Sequence, residues 1–175
     1  LLIGDGTNAC NLTVSGTNTV TSPATDVNTN GTISRTTSGA NSWGTLTFAS
    51  GATYVHNASL GTLPTATWNA NSTLQIDANL ASDQFTQSFG NVTVNNSAAF
   101  FISTTAATYT GSIQGNFTHN SSAAISLKNS SWDATFTIGG NLSITGGGTF
   151  RIMEGVGTSL TRSEEHTSEL QSHSD

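Results

Sequence analysis

Residues 90–152 read GNVTVNNSAAFFISTTAATYTGSIQGNFTHNSSAAISLKNSSWDATFTIGGNLSITGGGTFRI, and this stretch decides the fold. Gly90-Asn91, Gly115-Asn116 and Gly140-Asn141 recur at steps of 25 residues. Each step opens a run of alternating side chains: NVTV, NFTH and NLSI. Eight residues after Val92, Phe117 and Leu142 come Phe100, Ile125 and Phe150, the first members of the pairs Phe100/Ile102, Ile125/Leu127 and Phe150/Ile152. An apolar pair at i and i+2 marks a strand with one buried face. Between the pairs stand Asn95-Asn96-Ser97, Asn120-Ser121-Ser122 and Gly146-Gly147-Gly148, residue types that suit tight corners. A unit of this length cannot close a core alone, so its neighbours must stack on it.

The eight-residue offset extends upstream. Leu46/Phe48 is followed by Tyr54/His56, Ala66/Trp68 by Leu74/Ile76, and, in a weaker copy, Leu12/Val14 by Val20/Thr22. If the leading pairs are equivalent, the steps from Leu46 onward are 20, 26, 25 and 25 residues. The step before Leu46 is 34, which leaves room for a longer loop or an extra strand near Ile33. Ile113 and Ile138 predict a third strand, whose counterpart at Ser88 is not apolar. The expected fold is all-β, a parallel β-helix or solenoid with coils of about 20–26 residues, spanning residues 43–161. Its columns would be Val92–Phe117–Leu142 and Phe100–Ile125–Phe150. Residues 1–42 are expected to form an irregular N-terminal coil and loop region. A β-sandwich of hairpins is the alternative, because short, evenly spaced strands suit it too. A sandwich has no need of equal steps with matching residue types, and this favours the solenoid.

Composition narrows the function classes. Ser, Thr, Asn and Gly account for 85 of the first 161 residues, and only 8% of the chain is charged, against about a quarter in an ordinary soluble domain. The surface must therefore be solvated by hydroxyls and amides. The net charge is −6, and −3 up to Thr161, so no basic groove for nucleic acid is expected. The single Cys10 excludes an intramolecular disulfide framework and a cysteine-based metal site. No run of 18 apolar residues is present to span a membrane as a helix.

The composition changes abruptly at Arg162-Ser-Glu-Glu-His-Thr-Ser-Glu-Leu-Gln-Ser172. These residues resemble the conceptual translation of a common short-read sequencing adapter, residue for residue. Residues 162–175 are accordingly set apart as a non-native tail, and His166, Glu164, Glu165 and His173 within it are not read as a metal cluster. The chain opens Leu1-Leu2-Ile3 without Met, so a fragment or processed product is expected, with the natural sequence continuing differently after Thr161.

Few residues invite chemistry. His56 and His119 fall on inward positions three coils apart, as core or edge histidines satisfied by hydrogen bonds and not as metal ligands. Asp77, Asp83, Asp133 and Glu154 are scattered, and Asp133 with Lys128 is the nearest acid–base pair. There is no nucleophile elbow and no HExxH. Gly146-Gly147-Gly148 lacks the Lys-Ser/Thr of a phosphate loop, and Asp5-Gly6-Thr7-Asn8 is too short for a calcium site. Trp68 keeps the apolar register and belongs to the core, whereas Trp43 and Trp132 lie outside the paired strands and are the candidate glycan contacts. The sequons at Asn91, Asn116 and Asn141 track the repeat. No cofactor and no metal are expected.

The phrases GTLTFASGATYVHNAS, GTLPTATWNANSTLQI, FGNVTVNN and GGNLSITGGGTFRI resemble repeats of large secreted surface proteins of Bacteroidetes-type bacteria, over about residues 43–160. They resemble filamentous adhesins more loosely. The resemblance implies a structural or adhesive, non-catalytic segment at the cell surface or outside the cell. Its implied partners are adjoining coils of a longer parent chain, surface glycans and other surface proteins. A carbohydrate-active β-helix enzyme and a glycan-binding module are the alternative functions.

Overall fold

The computed structural model describes residues 1–16, 20–37, 41–81, 84–96, 100–103, 108–128 and 133–151. Among them the chain is all β, with every strand pair parallel. A sandwich of hairpins would pair its strands antiparallel, so the solenoid is the fold. One sheet stacks seven strands: β2 (Cys10–Val14), β4 (Gly31–Arg35), β6 (Thr53–His56), β8 (Thr73–Ile76), β10 (Asn91–Val94), β13 (Phe117–His119) and β16 (Leu142–Ile144). A second face carries β1 (Leu2–Ile3), β3 (Ala24–Val27), β5 (Thr45–Phe48) and β7 (Thr67–Trp68). Beyond β7 it continues with β9 (Ser88–Phe89), β12 (Thr108–Ile113) and β15 (Asp133–Ile138). The third face holds β11 (Phe100–Ser103), β14 (Ala124–Lys128) and β17 (Thr149–Arg151), all in the later coils.

Strand alternation builds the core. In β6, β8 and β10 every second residue is buried, and its neighbours, Val55 apart, are partly exposed hydroxyls and amides. Register places Leu12, Ile33, Tyr54, Leu74, Val92, Phe117 and Leu142 in one column of the seven-stranded sheet. The parallel column runs Val14, Arg35, His56, Ile76, Val94, His119 and Ile144. On the second face Ile3, Val27, Phe48 and Trp68 align, and further along Phe89, Ile113 and Ile138. The rings of Phe48 and Trp68 stack at 4.2 Å, and Phe89 meets Trp68 at 5.2 Å. Each fully buried side chain of this size contributes roughly 1.5–3 kcal/mol, and the column makes that burial possible for units that have no core of their own.

The columns Val92–Phe117–Leu142 and Phe100–Ile125–Phe150 are paired as expected. The upstream register is different. Val92 and Val94 lie over Leu74 and Ile76, 18 residues back, and not over Ala66 and Trp68. The counterpart of Ile113 is Phe89, an apolar residue, and not Ser88. Residues 1–37 also depart from expectation: β1 to β4 join the same two faces, so regular coils begin at Leu2 and not near residue 43. A polar residue at an inward position hides the alternation there, since Thr25 and Arg35 are both buried. Trp132, Asp83, Glu154, Ile152 and the tail at 162–175 lie outside the described residues.

The Gly-Asn step has a physical cause. Asn91 Oδ1 accepts the backbone N–H of Asn116 at 2.9 Å, and Asn116 Oδ1 accepts that of Asn141 at 2.9 Å. A methyl group at Gly115 would overlap Asn91 Oδ1, and one at Gly140 would crowd Asn116 Oδ1. The glycine leaves the space that the asparagine of the preceding coil occupies. A second ladder runs along the opposite end of the strands, where Asn95 Nδ2 donates to Asp77 Oδ1 (2.9 Å), Asn120 Nδ2 to Asn95 Oδ1 (3.3 Å) and Thr145 Oγ1 to Asn120 Oδ1.

Candidate functional site: a cleft on the third side

Among the described residues, the third side of the early coils carries no named strand. Within the same described residues the isolated parallel bridges Thr21 with Ser42 and Gly61 with Leu80 join these coils there. The segment Leu63-Pro64-Thr65-Ala66 cannot complete a ladder, because proline has no N–H to donate. Glutamines of the next coil take over that role. Gln84 Oε1 accepts the N–H of Leu63 at 2.9 Å. Gln87 Oε1 accepts the N–H of Ala66 at 2.9 Å and the Trp68 indole N–H at 3.3 Å, and Gln87 Nε2 donates to Pro64 O at 2.8 Å. The strip is held in place without being covered.

Between this strip and the preceding coil lies a cleft of about 630 Å³, lined by Arg35, Asn41, Ser42, Trp43, Gly44, Thr62, Leu63, Pro64 and Thr65. That volume falls in the range of small-ligand sites. Arg35 closes β4 and takes an inward place in the column where other coils carry Ile76 or Val94. It is only 5% exposed. Its Nε donates to Thr37 O at 2.8 Å and its Nη1 to Thr62 O at 2.6 Å. Both of these acceptors are backbone carbonyls, one in the loop after β4 and one in the next coil.

Trp43 is buried among the core residues, with 7% of its surface left accessible. It is a wall of the cleft and not the exposed platform its position outside the strands suggested. Gly44 fixes its approach: φ is +54°, and a side chain there would overlap Pro23 O. Asn41 is oriented by the Val20 N–H, which donates to Asn41 Oδ1 at 3.0 Å. This leaves the amide Nδ2 as a buried donor with no partner. The cleft thus gathers a guanidinium, an amide donor and the apolar surfaces of Trp43, Leu63 and Pro64.

The remaining sequence candidates are placed elsewhere. His56 and His119 are fully buried in one column, and neither ring nitrogen of either has a hydrogen-bond partner. The expectation of hydrogen-bonded histidines is therefore corrected: in the column His56 lies between Arg35 and Ile76 and His119 between Val94 and Ile144, none of whose side chains accepts a hydrogen bond. Burial pushes the pKa of both rings down, and at His56 the Arg35 charge adds to it. The carbonyls of Asn79 and Ala58 oppose the shift at His56 from outside hydrogen-bond geometry. Asp77 is bound by Gln75 Nε2 at 2.8 Å and Asn95 Nδ2 at 2.9 Å, as a ladder end. For Asp133 and Lys128 only the backbone is described. Asp5 accepts the N–H groups of Thr7 (2.8 Å) and Asn8 (2.7 Å), and the bonds from Asn8 and Thr7 lower its pKa to about 2. Among the described residues no group of three His, Cys, Asp or Glu side chains is placed to hold a metal, and no helix is long and apolar enough to cross a membrane.

Arg35 and Asn41 carry the polar chemistry of this cleft, and neither was singled out by residue type. The available signal was the cation at the inward position of the Ile33/Arg35 pair, in a chain with only four Lys and Arg. Compared with known protein families, with curated proteins and with solved structures, the chain matches none.

Proposed function

We propose that the chain is a structural, adhesin-like segment of an extracellular bacterial surface protein and carries no catalytic centre. The observation behind this reading is the stacking of like positions, column by column, through the whole seven-stranded sheet. Such a stack is a spacer whose length scales with coil number. Its outward rows are short and uncharged: Thr32, Thr53 and Thr73 align, as do Thr93, Thr118 and Ser143. Closure into coils leaves open strand edges only at the two ends of the stack. At one end Leu142 and Ile144 are 46% and 43% exposed on β16, and one further coil laid on that strand would cover them. Adjoining coils of a longer parent chain are the partners this reading calls for.

The test is an antibody raised against the folded solenoid and applied to intact and to permeabilised producing cells. Labelling of intact cells is expected. Labelling that requires permeabilisation rejects an extracellular location.

A further inference from the structure

The outward face of the seven-stranded sheet belongs neither to the core nor to the cleft. We infer that it binds crystalline water, as a net of hydroxyl and methyl groups laid against the surface of ice. The inference stands on this face alone and is independent of where the protein resides.

Three observations carry it. The first is a net that repeats in two directions. The strands pair residue on residue from β2 to β16 in one unbroken register. Thr32, Thr53 and Thr73 stand in one outward row, and Thr93, Thr118 and Ser143 in the other. Paired strands lie about 4.8 Å apart, and outward neighbours within one strand about 6.6 Å apart. The oxygens on a prism face of hexagonal ice form a rectangular net of similar edges. A dissolved ligand would meet a few of these positions, whereas a solid with its own two-dimensional repeat meets the rows along their length.

The second is the state of the hydroxyls. Among the described residues, those of Thr32, Thr53, Thr73, Thr93 and Thr118 make no hydrogen bond, and each of these side chains is half-buried. A hydroxyl both donates and accepts, so each can stand in for a lattice water. Threonine is stiff at χ1, and the strand holds its backbone. The net is thus set before ice arrives, and little ordering cost remains. Val55, in the row of Thr93, keeps the outline of threonine with a methyl in place of the hydroxyl.

The third is what the face leaves out. The outward positions of its strands are Thr, Ser, Asn, Gln and Val55, with no charged and no aromatic side chain. Gln75, the longest of them, is tied aside to Asp77 at 2.8 Å. In a chain of net charge −6, an uncharged face complements an uncharged solid. A crystalline polysaccharide presents ring faces, which proteins cover with aromatic side chains. The second face lacks this character, because Asp26 stands in the outward row of Thr47 and Thr67.

The experiment follows ice crystals in a cooled solution of the whole chain and measures how much of it a slowly grown ice shell takes up. Faceted crystals, a gap between melting and growth temperatures, and enrichment in the shell are expected. Thr53→Lys and Thr93→Lys each raise a long charged side chain above the middle of the net. Each should abolish the enrichment and leave the far-ultraviolet circular dichroism spectrum unchanged. Thr67→Lys, on the second face, should be taken up like the native chain. Round crystals and exclusion of the native chain from ice overturn the inference. So does native-like uptake of both folded lysine variants of the net, or binding of the native chain to microcrystalline cellulose or chitin but not to ice. The first and last of these outcomes need no variant and hold whether or not the lysine variants fold.

Discussion

Replacing Gly115 by alanine tests the origin of the Gly-Asn step, because the outcome depends on a residue of the preceding coil. Gly115 does not have a positive φ, so the backbone itself accepts alanine. Taken alone, that change stabilises by about 0.4–1 kcal/mol through the unfolded chain. The new methyl overlaps Asn91 Oδ1 and stands 3.0 Å from Ala70 O. The Asn91 carboxamide must move and give up the Asn116 N–H it holds at 2.9 Å. Loss of that bond costs about 0.5–1.5 kcal/mol, and crowding a filled site adds about 1–3 kcal/mol. Gly115→Ala should therefore destabilise by about 1–3 kcal/mol. Asn91→Ala alone should cost about 0.5–1.5 kcal/mol. In the double variant the overlap disappears, and Gly115→Ala should be neutral or slightly stabilising. The coupling free energy from urea unfolding of the four chains should be about 1–3 kcal/mol in favour of the double variant. A coupling within about 0.5 kcal/mol of zero, the usual additivity error, refutes the account of why glycine precedes asparagine. The pair Gly140 and Asn116, one coil on, should couple with the same sign.

Acidification should lower the melting temperature. An unfolded histidine takes up a proton near pH 6.5, whereas burial depresses the pKa of His56 and His119 in the fold. Below about pH 6.5 the unfolded state therefore binds more protons, and stability falls as pH falls through that window. His56→Leu with His119→Leu should flatten the melting temperature between pH 7.5 and 5, and an undiminished slope would sink the assignment. Trp68→Ala, which removes the ring between Phe48 and Phe89, should cost about 3–5 kcal/mol in urea unfolding. Gln87→Ala leaves Ala66 N, Trp68 Nε1 and Pro64 O unserved and should cost about 1–3 kcal/mol. Amide exchange should then quicken at Ala66, and unchanged exchange there would show that Gln87 does not hold the strip.

The regular downstream coils were legible because their inward residues are nearly all apolar and their steps equal. Val92, Phe117 and Leu142 could be stacked by counting. The face to which each upstream pair belongs could not. From Leu46 to Tyr54 the eight residues cross the corner between β5 and β6, whereas from Val92 to Phe100 they cross the corner between β10 and β11. The offset is eight residues in both cases, so it carries no label for the face. Between β9 and β10 the first corner shrinks to Gly90 alone, and this moves the register. The cleft was illegible for a related reason. It exists where the third strand is missing, and its walls come from residues as far apart as Arg35 and Thr65, joined only by stacking. Trp43 was chosen by residue type, but its burial follows from the Gly44 turn beneath Pro23, a contact between coils that no local pattern records.

The parallel ladders also set how the chain responds to a pull between its ends. The hydrogen bonds between coils run along the direction of stacking, so tension from end to end loads them in their own direction and not in shear. A terminal coil then tears away before its neighbours, one rank of bonds at a time. On the second face β5 meets β7 through two residue pairs, Thr47 with Thr67 and Phe48 with Trp68, as thin a rank as β1 with β3 and β9 with β12. The stacked rings of Phe48 and Trp68 bridge that step. The closest ring stack among the described residues is thus a rivet across one of the thin seams of the backbone.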